Sequence, residues 1–414
     1  MVWHQDWQVT GIIRDTSMGP SRGTDLDAAF DGFIPSFHRI VADLSKQKKK
    51  MLVTMHRYLD GDAFGSAIAF GLMLRQMGID SSLLCVPFVP EKFDFLSRMS
   101  RLTIFEASQN KRLFAQDNYT LAMGAHFPEE SPEYGGLAIL DCAGFGQVPR
   151  EAWAVGNSFR HKVHIDHHTG HSFGPDRGKA ASLVCSCSST SEILYHLMER
   201  LGLSSDPEVA VSLYVGANAD LRKNDIQAGH PAYPAYVMDA LKQRLNALGR
   251  DIWHQIDSIF SLDPWEQSLL DTVGSALRFS GSIVYAAFDP SMVLTAKRET
   301  DALDNPRMPF HEFHIRLRQL MGQYGDTHPV AALFDQILGK VSLFDLRRNQ
   351  GYDLAGISRE LGGGGHRNRA GFAFETARDT LLDLNLISGD TPDSTVIETV
   401  IEFVRTRLAA TGDQ

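Results

Sequence analysis

The chain lacks most of what a secreted scaffold, a membrane anchor or a nucleic-acid clamp is built from. Its 414 residues include only four cysteines, Cys85, Cys142, Cys185 and Cys187. They follow neither a disulfide framework nor a CxxC zinc pattern, so they read as reduced thiols of a cytosolic protein. No apolar run approaches the roughly 20 residues that a bilayer-spanning helix needs, and residues 1–30 hold no signal-peptide core. No basic excess exists either: 40 Lys and Arg face 50 Asp and Glu, for a net charge of -10. A tight duplex binder usually carries a basic face, so that balance speaks against duplex nucleic acid and favours a small ligand gripped in a pocket by a few cations. Lys48–Lys50 reads as a solvated turn.

What is present is an alternation of short apolar runs with helical patterns. Residues 1–24 read as an irregular arm, and apolar residues at helical spacing, Phe30 to Leu44 among them, predict an amphipathic helix from Asp25 to Leu44. Strands near 51–55, 82–86, 102–105, 137–140 and 162–165 then alternate with helices near 65–77, 91–98, 188–201 and 206–217. This predicts a mostly parallel sheet with helices on both faces, forming a domain over residues 25–230. Residues 231–263 read as a helical connector. Residues 264–414 hold strands that adjoin strands, including a hairpin at 329–335 and 340–345. They predict a smaller α+β domain, with a cleft between the two domains as the place for a site. The fold class is therefore α/β plus a smaller α+β domain.

Two stretches carry most of the chemistry, His56-Arg-Tyr-Leu-Asp60-Gly-Asp62 and Asp166-His167-His168. Each follows an apolar, β-branched run, and the carboxyl edge of an open α/β sheet is where ligands bind. Asp141 follows Leu137–Leu140, and Asp220 follows the apolar run 211–217, in what reads as a similar setting. Asp60 and Asp62, two residues apart across Gly61, would point to different sides of an extended turn and serve two ions. Asp141 would bridge them, and Gly65 would let the next helix start close by. Mixed His nitrogen and Asp oxygen suits two Mn²⁺ ions better than Mg²⁺, with zinc less suited without Cys ligands.

These four segments resemble the motifs of the DHH phosphoesterases: His-x-x-x-Asp-Gly-Asp-Ala, a strand-end Asp, Asp-His-His and a later Asp. Residues 188–202 resemble the helix that follows Asp-His-His in that family. The resemblance implies that His56, Asp60 and Asp141 hold one metal, and Asp62, Asp141, His167 and Asp220 the other. It places His168 against the scissile phosphate, with Asp166 orienting the histidines. Around the fourth motif relatives usually read Thr-Asp-Thr-Gly, whereas this chain has Asn218-Ala-Asp220-Leu-Arg222.

Leu361-Gly-Gly-Gly-Gly365-His366-Arg-Asn-Arg-Ala370-Gly371 is the second strong signal. Glycines let backbone N–H groups converge on an anion, and His366 with Arg367 or Arg369 would add charge-assisted donors. The run resembles the Gly-Gly-Gly-His motif of the DHH-associated C-terminal domain, which implies substrate binding by Gly363, Gly364, Gly365, His366, Arg367 and Arg369. Arg369 either contacts phosphate or points to solvent, and Arg347 and Arg348 are further candidates. Among the family's activities, the glycine run resembles the nucleotide-directed branch, and no OB-fold-like or basic segment speaks for a RecJ-type long-strand exonuclease. The expectation is a cytoplasmic, Mn²⁺-dependent phosphodiesterase of the nano-RNase or oligoribonuclease kind, compatible with a homodimer. It would cut very short oligonucleotides and dinucleotides to nucleoside monophosphates through a hydroxide between two metals, with no membrane partner. The alternatives are a phosphatase of 3′-phosphoadenosine 5′-phosphate-type nucleotides or of polyphosphate, and a catalytically weak nucleotide-sensing module.

Overall fold

A computed structural model describes residues 20–56, 59–85, 91–106, 125–126, 132–142, 147–149, 152, 159–168, 179–223, 226, 228, 230, 232–304, 311–347 and 352–411. The expected arm and residue Arg348 lie largely or wholly outside this set. The chain divides into two units, Met1–Phe260 and Ser261–Gln414, so helices Ala235–Leu248 and Arg250–Ile259, in the stretch that reads as a connector, belong to the first. Among the described residues no helix is long and apolar enough to cross a membrane.

In the first unit, strands β1 (Lys50–Met55), β2 (Ser81–Cys85), β3 (Thr103–Glu106), β4 (Ala125–His126), β5 (Tyr134–Leu140), β6 (His161–Asp166) and β7 (Lys179–Val184) form one sheet in the order β4-β3-β2-β1-β5-β6-β7. Every pairing is parallel. β1 is buried along nearly its whole length, which is why its residues read as an unbroken apolar run. The order reverses between β1 and β5, and such a switch point opens a crevice at the carboxyl ends of the strands. β5 begins at Tyr134, three residues before the apolar run suggests, because Tyr134 and Gly136 pair with Lys50 and Met51 of β1 across an irregularity at Gly135. Edge strand β7 has no strong apolar pattern and is not foreseen from the sequence.

Helix α1 (Pro20–Gln47) buries Phe30, Phe33, Phe37, Ile40 and Leu44, the residues its spacing predicts. Each such side chain contributes about 1.5–3 kcal/mol of transfer free energy. Helices α2 (Gly61–Gln76), α3 (Asp94–Ser100), α4 (Thr190–Arg200) and α5 (Pro207–Lys223) follow. Gly65 lies inside α2 rather than before it. A Cβ there would stand 2.4 Å from the Ser212 carbonyl oxygen of α5, so the two backbones touch.

The second unit is smaller and carries a mixed six-stranded sheet. β8 (Arg278–Ser280), β9 (Ile283–Phe288), β10 (Val330–Asp335), β11 (Lys340–Asp345), β12 (Gly364–His366) and β13 (Arg369–Ala373) run in the order β12-β13-β11-β10-β9-β8. Only β9 and β10 pair in parallel, and β10–β11 is the expected hairpin. Alternation along the strands sends Ile283, Val330, Ala332 and Phe334 to one core and Val284, Phe288, Ala331 and Leu333 to another. Trp265, buried in the second core, lies under the Lys297 ammonium.

Candidate metal centre

Three strand ends and three helices deliver the site. His56 follows β1 directly, and Asp60 is the N-cap of α2: its Oδ1 accepts from the Ala63 N–H at 3.0 Å. Asp62 lies in the first turn of α2, so Gly61 is the first helical residue rather than the middle of a turn. Asp141 follows β5 with φ +51, a left-handed backbone that Asp tolerates better than most residues. β6 ends on Asp166, and His167 and His168 come next.

Asp220 corrects the expectation of a strand end. It sits three residues before the end of α5, and the apolar run 211–217 is helical. The helix expected near 206–217 therefore extends to Lys223, and it is buried almost continuously from Val209 to Leu221.

These residues converge as two donor groups. His56, Asp60 and Asp141 each place one donor atom within 4.8 Å of the others, and so do Asp62, His167 and Asp220. Asp141 is shared between them: its Oδ2 lies 3.3 Å from His56 Nε2, and its Oδ1 lies 3.4 Å from His167 Nε2. His167 Nε2 is also 3.2 Å from Asp220 Oδ2. Asp141, Asp166, His167 and His168 form a third, overlapping cluster.

The surroundings fix how each group presents itself. His167 Nδ1 donates to the Cys187 carbonyl at 3.3 Å, which leaves Nε2 as the electron-pair donor. That Nε2 is buried and makes no hydrogen bond. An imidazole lone pair shut away among carboxylates is what a cation site supplies, so the residues fit divalent ions. Asp166 Oδ1 accepts from the His168 N–H at 3.2 Å and from His168 Nδ1 at 2.8 Å, orienting that ring. Asp62 is held by the first turn of α4, whose Thr190 and Ser191 N–H groups donate to it at 2.7 and 3.0 Å. Gly216 clears the space, since a Cβ there would stand 2.9 Å from Asp62 Oδ1. Thr190 Oγ1 donates to Asp141 Oδ1 at 3.1 Å.

The electrostatics match this crowding. Burial opposes protonation of His56, yet its hydrogen bond to Asp141 and the charge of Asp60 outweigh it, and the pKa is raised. His167 is likewise raised, with Asp220 and Asp141 overcoming burial, and burial of His168 is outweighed by its hydrogen bond to Asp166 and the charge of Asp141, so it too is raised. Burial, then the charges of Asp141 and Asp220, push Asp62 well above the ordinary carboxylate range. Burial also works against the Asp141 carboxylate, but His56 and His167 hold it down to about 2.

Lys223, in the last turn of α5, was not singled out from the sequence. Its Nζ lies 2.9 Å from Asp60 Oδ2 and 3.4 Å from Asp220 Oδ1. The Asp220-x-x-Lys223 spacing on a helix was the available signal.

In the second unit the glycine run has several duties. Gly362, at φ +74, follows the C-cap of helix α11 (Leu354–Glu360). Here α6 (Ala235–Leu248), α7 (Arg250–Ile259), α8 (Pro264–Ser275), α9 (Pro290–Glu299) and α10 (His311–Gly322) precede it. Gly363 and Gly365 lie against β13, where a Cβ would stand 2.2 Å from the Gly371 oxygen and 2.7 Å from the Arg369 oxygen. Gly364 has nothing within 4 Å of a Cβ position, so packing does not demand glycine there. β12 is a sheet edge. Arg367 is exposed, and Arg369 stacks its guanidinium over Phe344 at 5.6 Å from the centroid. The His366 side chain lies outside the described residues.

Residues 50–217 match the model of the DHH family, N-terminal domain. Among solved structures, an exopolyphosphatase-related protein from Bacteroides fragilis is 15% identical and superposes with a TM-score of 0.58, over 94% of this chain and 97% of that one. Exonuclease RecJ bound to manganese is 16% identical, with a TM-score of 0.42 over 86% of this chain and 94% of that one. RecJ in complex with Mn²⁺ from Thermus thermophilus is 14% identical, with a TM-score of 0.44 over 94% of this chain and 66% of that one. No curated protein matches the chain.

Proposed function

Because residues 50–217 match the model of the DHH family, N-terminal domain, we propose that this chain is a phosphoester hydrolase, a phosphodiesterase that cuts very short oligonucleotides and dinucleotides to nucleoside monophosphates. The observation that carries the reading is Asp141, whose two oxygens face separate donor groups. His56, Asp60 and Asp141 would hold one divalent ion, and Asp62, Asp141, His167 and Asp220 a second. The mixed nitrogen and oxygen donors favour Mn²⁺, with Mg²⁺ as second choice. Such a pair supplies an activated water and Lewis-acid stabilisation of a phosphoryl group in transfer.

The chain's own residues do the rest. Asp166 anchors the His168 ring and stabilises its protonated form, so His168 offers a positively charged donor to a phosphate oxygen. His168 is the more exposed histidine of its pair, with 33% of its side chain accessible against 12% for His167. The His167–Cys187 bond keeps the neighbouring ring in the tautomer that donates a lone pair. In the second unit, read as a DHH-associated domain, Gly363, Gly364, Gly365 and His366, with Arg367 and Arg369, are proposed to bind the substrate. Gly364, bare without a packing reason, supports this. The acidic balance of the chain favours short substrates over long strands held electrostatically.

A second reading, hydrolysis of polyphosphate or of a bisphosphorylated nucleotide, is kept because the relative with a TM-score of 0.58 is named exopolyphosphatase-related. A product-resolved assay with Mn²⁺ separates the two. Oligoribonucleotides from two to ten residues, bisphosphorylated adenosine and polyphosphate are compared at equal concentration. Fastest release of monophosphates from the dinucleotide is expected. Preference for the longest strand refutes the short-substrate reading, and release of orthophosphate alone moves the activity to the second.

A further inference from the structure

Lys223 is unused by the roles above, yet it sits where the two donor groups meet. Its ammonium touches one carboxylate from each: Asp60 through Oδ2 and Asp220 through Oδ1. The opposite oxygens face the histidines, Asp60 Oδ1 at 3.7 Å from His56 Nε2 and Asp220 Oδ2 at 3.2 Å from His167 Nε2. Each carboxylate is thus divided between the lysine and a donor group. The lysine side chain is only 19% exposed, unlike a solvated surface amine. It also lies just beyond the 218–222 segment, where this chain departs from the family's usual fourth motif.

We propose that Lys223 is a positioning residue of the metal centre, a built-in monovalent cation that clamps Asp60 to Asp220 and balances the site's charge before an anionic substrate arrives. The inference rests on the two-ion reading given above. The charge count supports it: Asp60, Asp62, Asp141, Asp166 and Asp220 carry five negative charges, against four from two divalent ions. Lys223, together with the protonated His168 proposed above, more than offsets the remainder, so a phosphate meets an attracting centre instead of a repelling one. The lysine opposes uptake of divalent ions by the same charge. It therefore weakens metal binding while strengthening anion binding, and this opposition distinguishes it from a mere strut.

Titration calorimetry on the full chain, stripped with a chelator, tests this with MnCl₂ first and inorganic phosphate second. The unaltered chain is compared with Lys223→Met, which keeps the length without the charge, and Lys223→Arg, which keeps the charge. Lys223→Met should bind Mn²⁺ about tenfold more tightly, the order expected on removing a unit charge that touches two of the carboxylates that would hold the ions, at the dielectric of water. The Mn²⁺-loaded variant should bind phosphate more weakly by a similar factor, and Lys223→Arg should behave as the unaltered chain. Weakening of both ligands together would show a structural strut and overturn the proposal. Unchanged affinities would do the same and leave the metal centre standing. Failure of the unaltered chain to take up two ions overturns the metal-centre reading and this inference with it.

Discussion

Replacing Asp141 is the sharpest perturbation of the site, and asparagine is the substitution to choose. At φ +51 alanine would add backbone strain of roughly 1–2 kcal/mol, whereas Asn accepts the left-handed region and nearly preserves the shape. The change then isolates the charge. Burial alone would raise this carboxyl, yet His56 and His167 hold it down to about 2 against an ordinary 3.8. A depression of that size is worth about 2 kcal/mol of folding stability. For a lowered carboxylate the contribution is complete above 3.8 and disappears as the pH falls toward 2. Asp141→Asn should therefore lower the metal-free melting temperature near pH 6 by about 4–8 °C, and the two proteins should converge in acid. Removing the shared oxygen should also cut bound Mn²⁺ from two per chain to at most one. Turnover should fall at least about 10³-fold, the equivalent of roughly 4 kcal/mol in the barrier. Melting by circular dichroism, metal counting and initial rates read the three effects. An asparagine variant that keeps two ions and near-normal turnover would refute the bridging assignment.

Three further outcomes follow from the same geometry. His56, His167 and His168 all have pKa values raised above 6.5, so their contribution is complete below 6.5 and lost as the pH rises through the raised values. Asp62, also raised, acts in the same direction. Thermal melts of the metal-free chain should therefore decline above about pH 6.5, while Mn²⁺ affinity, which needs the imidazoles neutral, climbs over the same window; a flat affinity profile contradicts the ligand set. Gly65→Ala forces a Cβ to within 2.4 Å of the Ser212 oxygen, so it should cost about 1–3 kcal/mol in denaturant unfolding and weaken Mn²⁺ binding by displacing α5. His366→Ala should raise KM with little change in kcat, and a loss confined to kcat would assign His366 to the chemistry instead.

How much of this was legible in the sequence depends on how local each feature is. β1 and β5 were readable because a strand buried on both faces is nearly apolar throughout, whereas β6 carries buried His161 and His164 and showed only Val163 and Ile165; the ends of all three were marked by Asp and His. The hairpin β10–β11 was readable because Gly339, at φ +59, punctuates two matched runs. Edge strand β7 was not, since residues such as Lys179, Ala180 and Ser182 carry no apolar period. The helix at 206–217 was readable, but its end was not: α5 runs on to Lys223, so Asp220 lies inside it rather than beyond an apolar run.

The division of labour within the site was still less legible. Which oxygen of Asp60 faces His56 and which faces Lys223 depends on α2 meeting α5, and no local pattern encodes that meeting. Gly65 and Gly216 only permit it, by letting two backbones approach within contact distance. The site is therefore a property of helix packing as much as of strand ends. A substitution that separates α2 from α5 by a fraction of an ångström withdraws Asp220 and Lys223 together, while the ligands on β1, β5 and β6 stay in place. Metal binding to the group of His56, Asp60 and Asp141 should thus outlast binding to the group of Asp62, His167 and Asp220 as that packing is loosened.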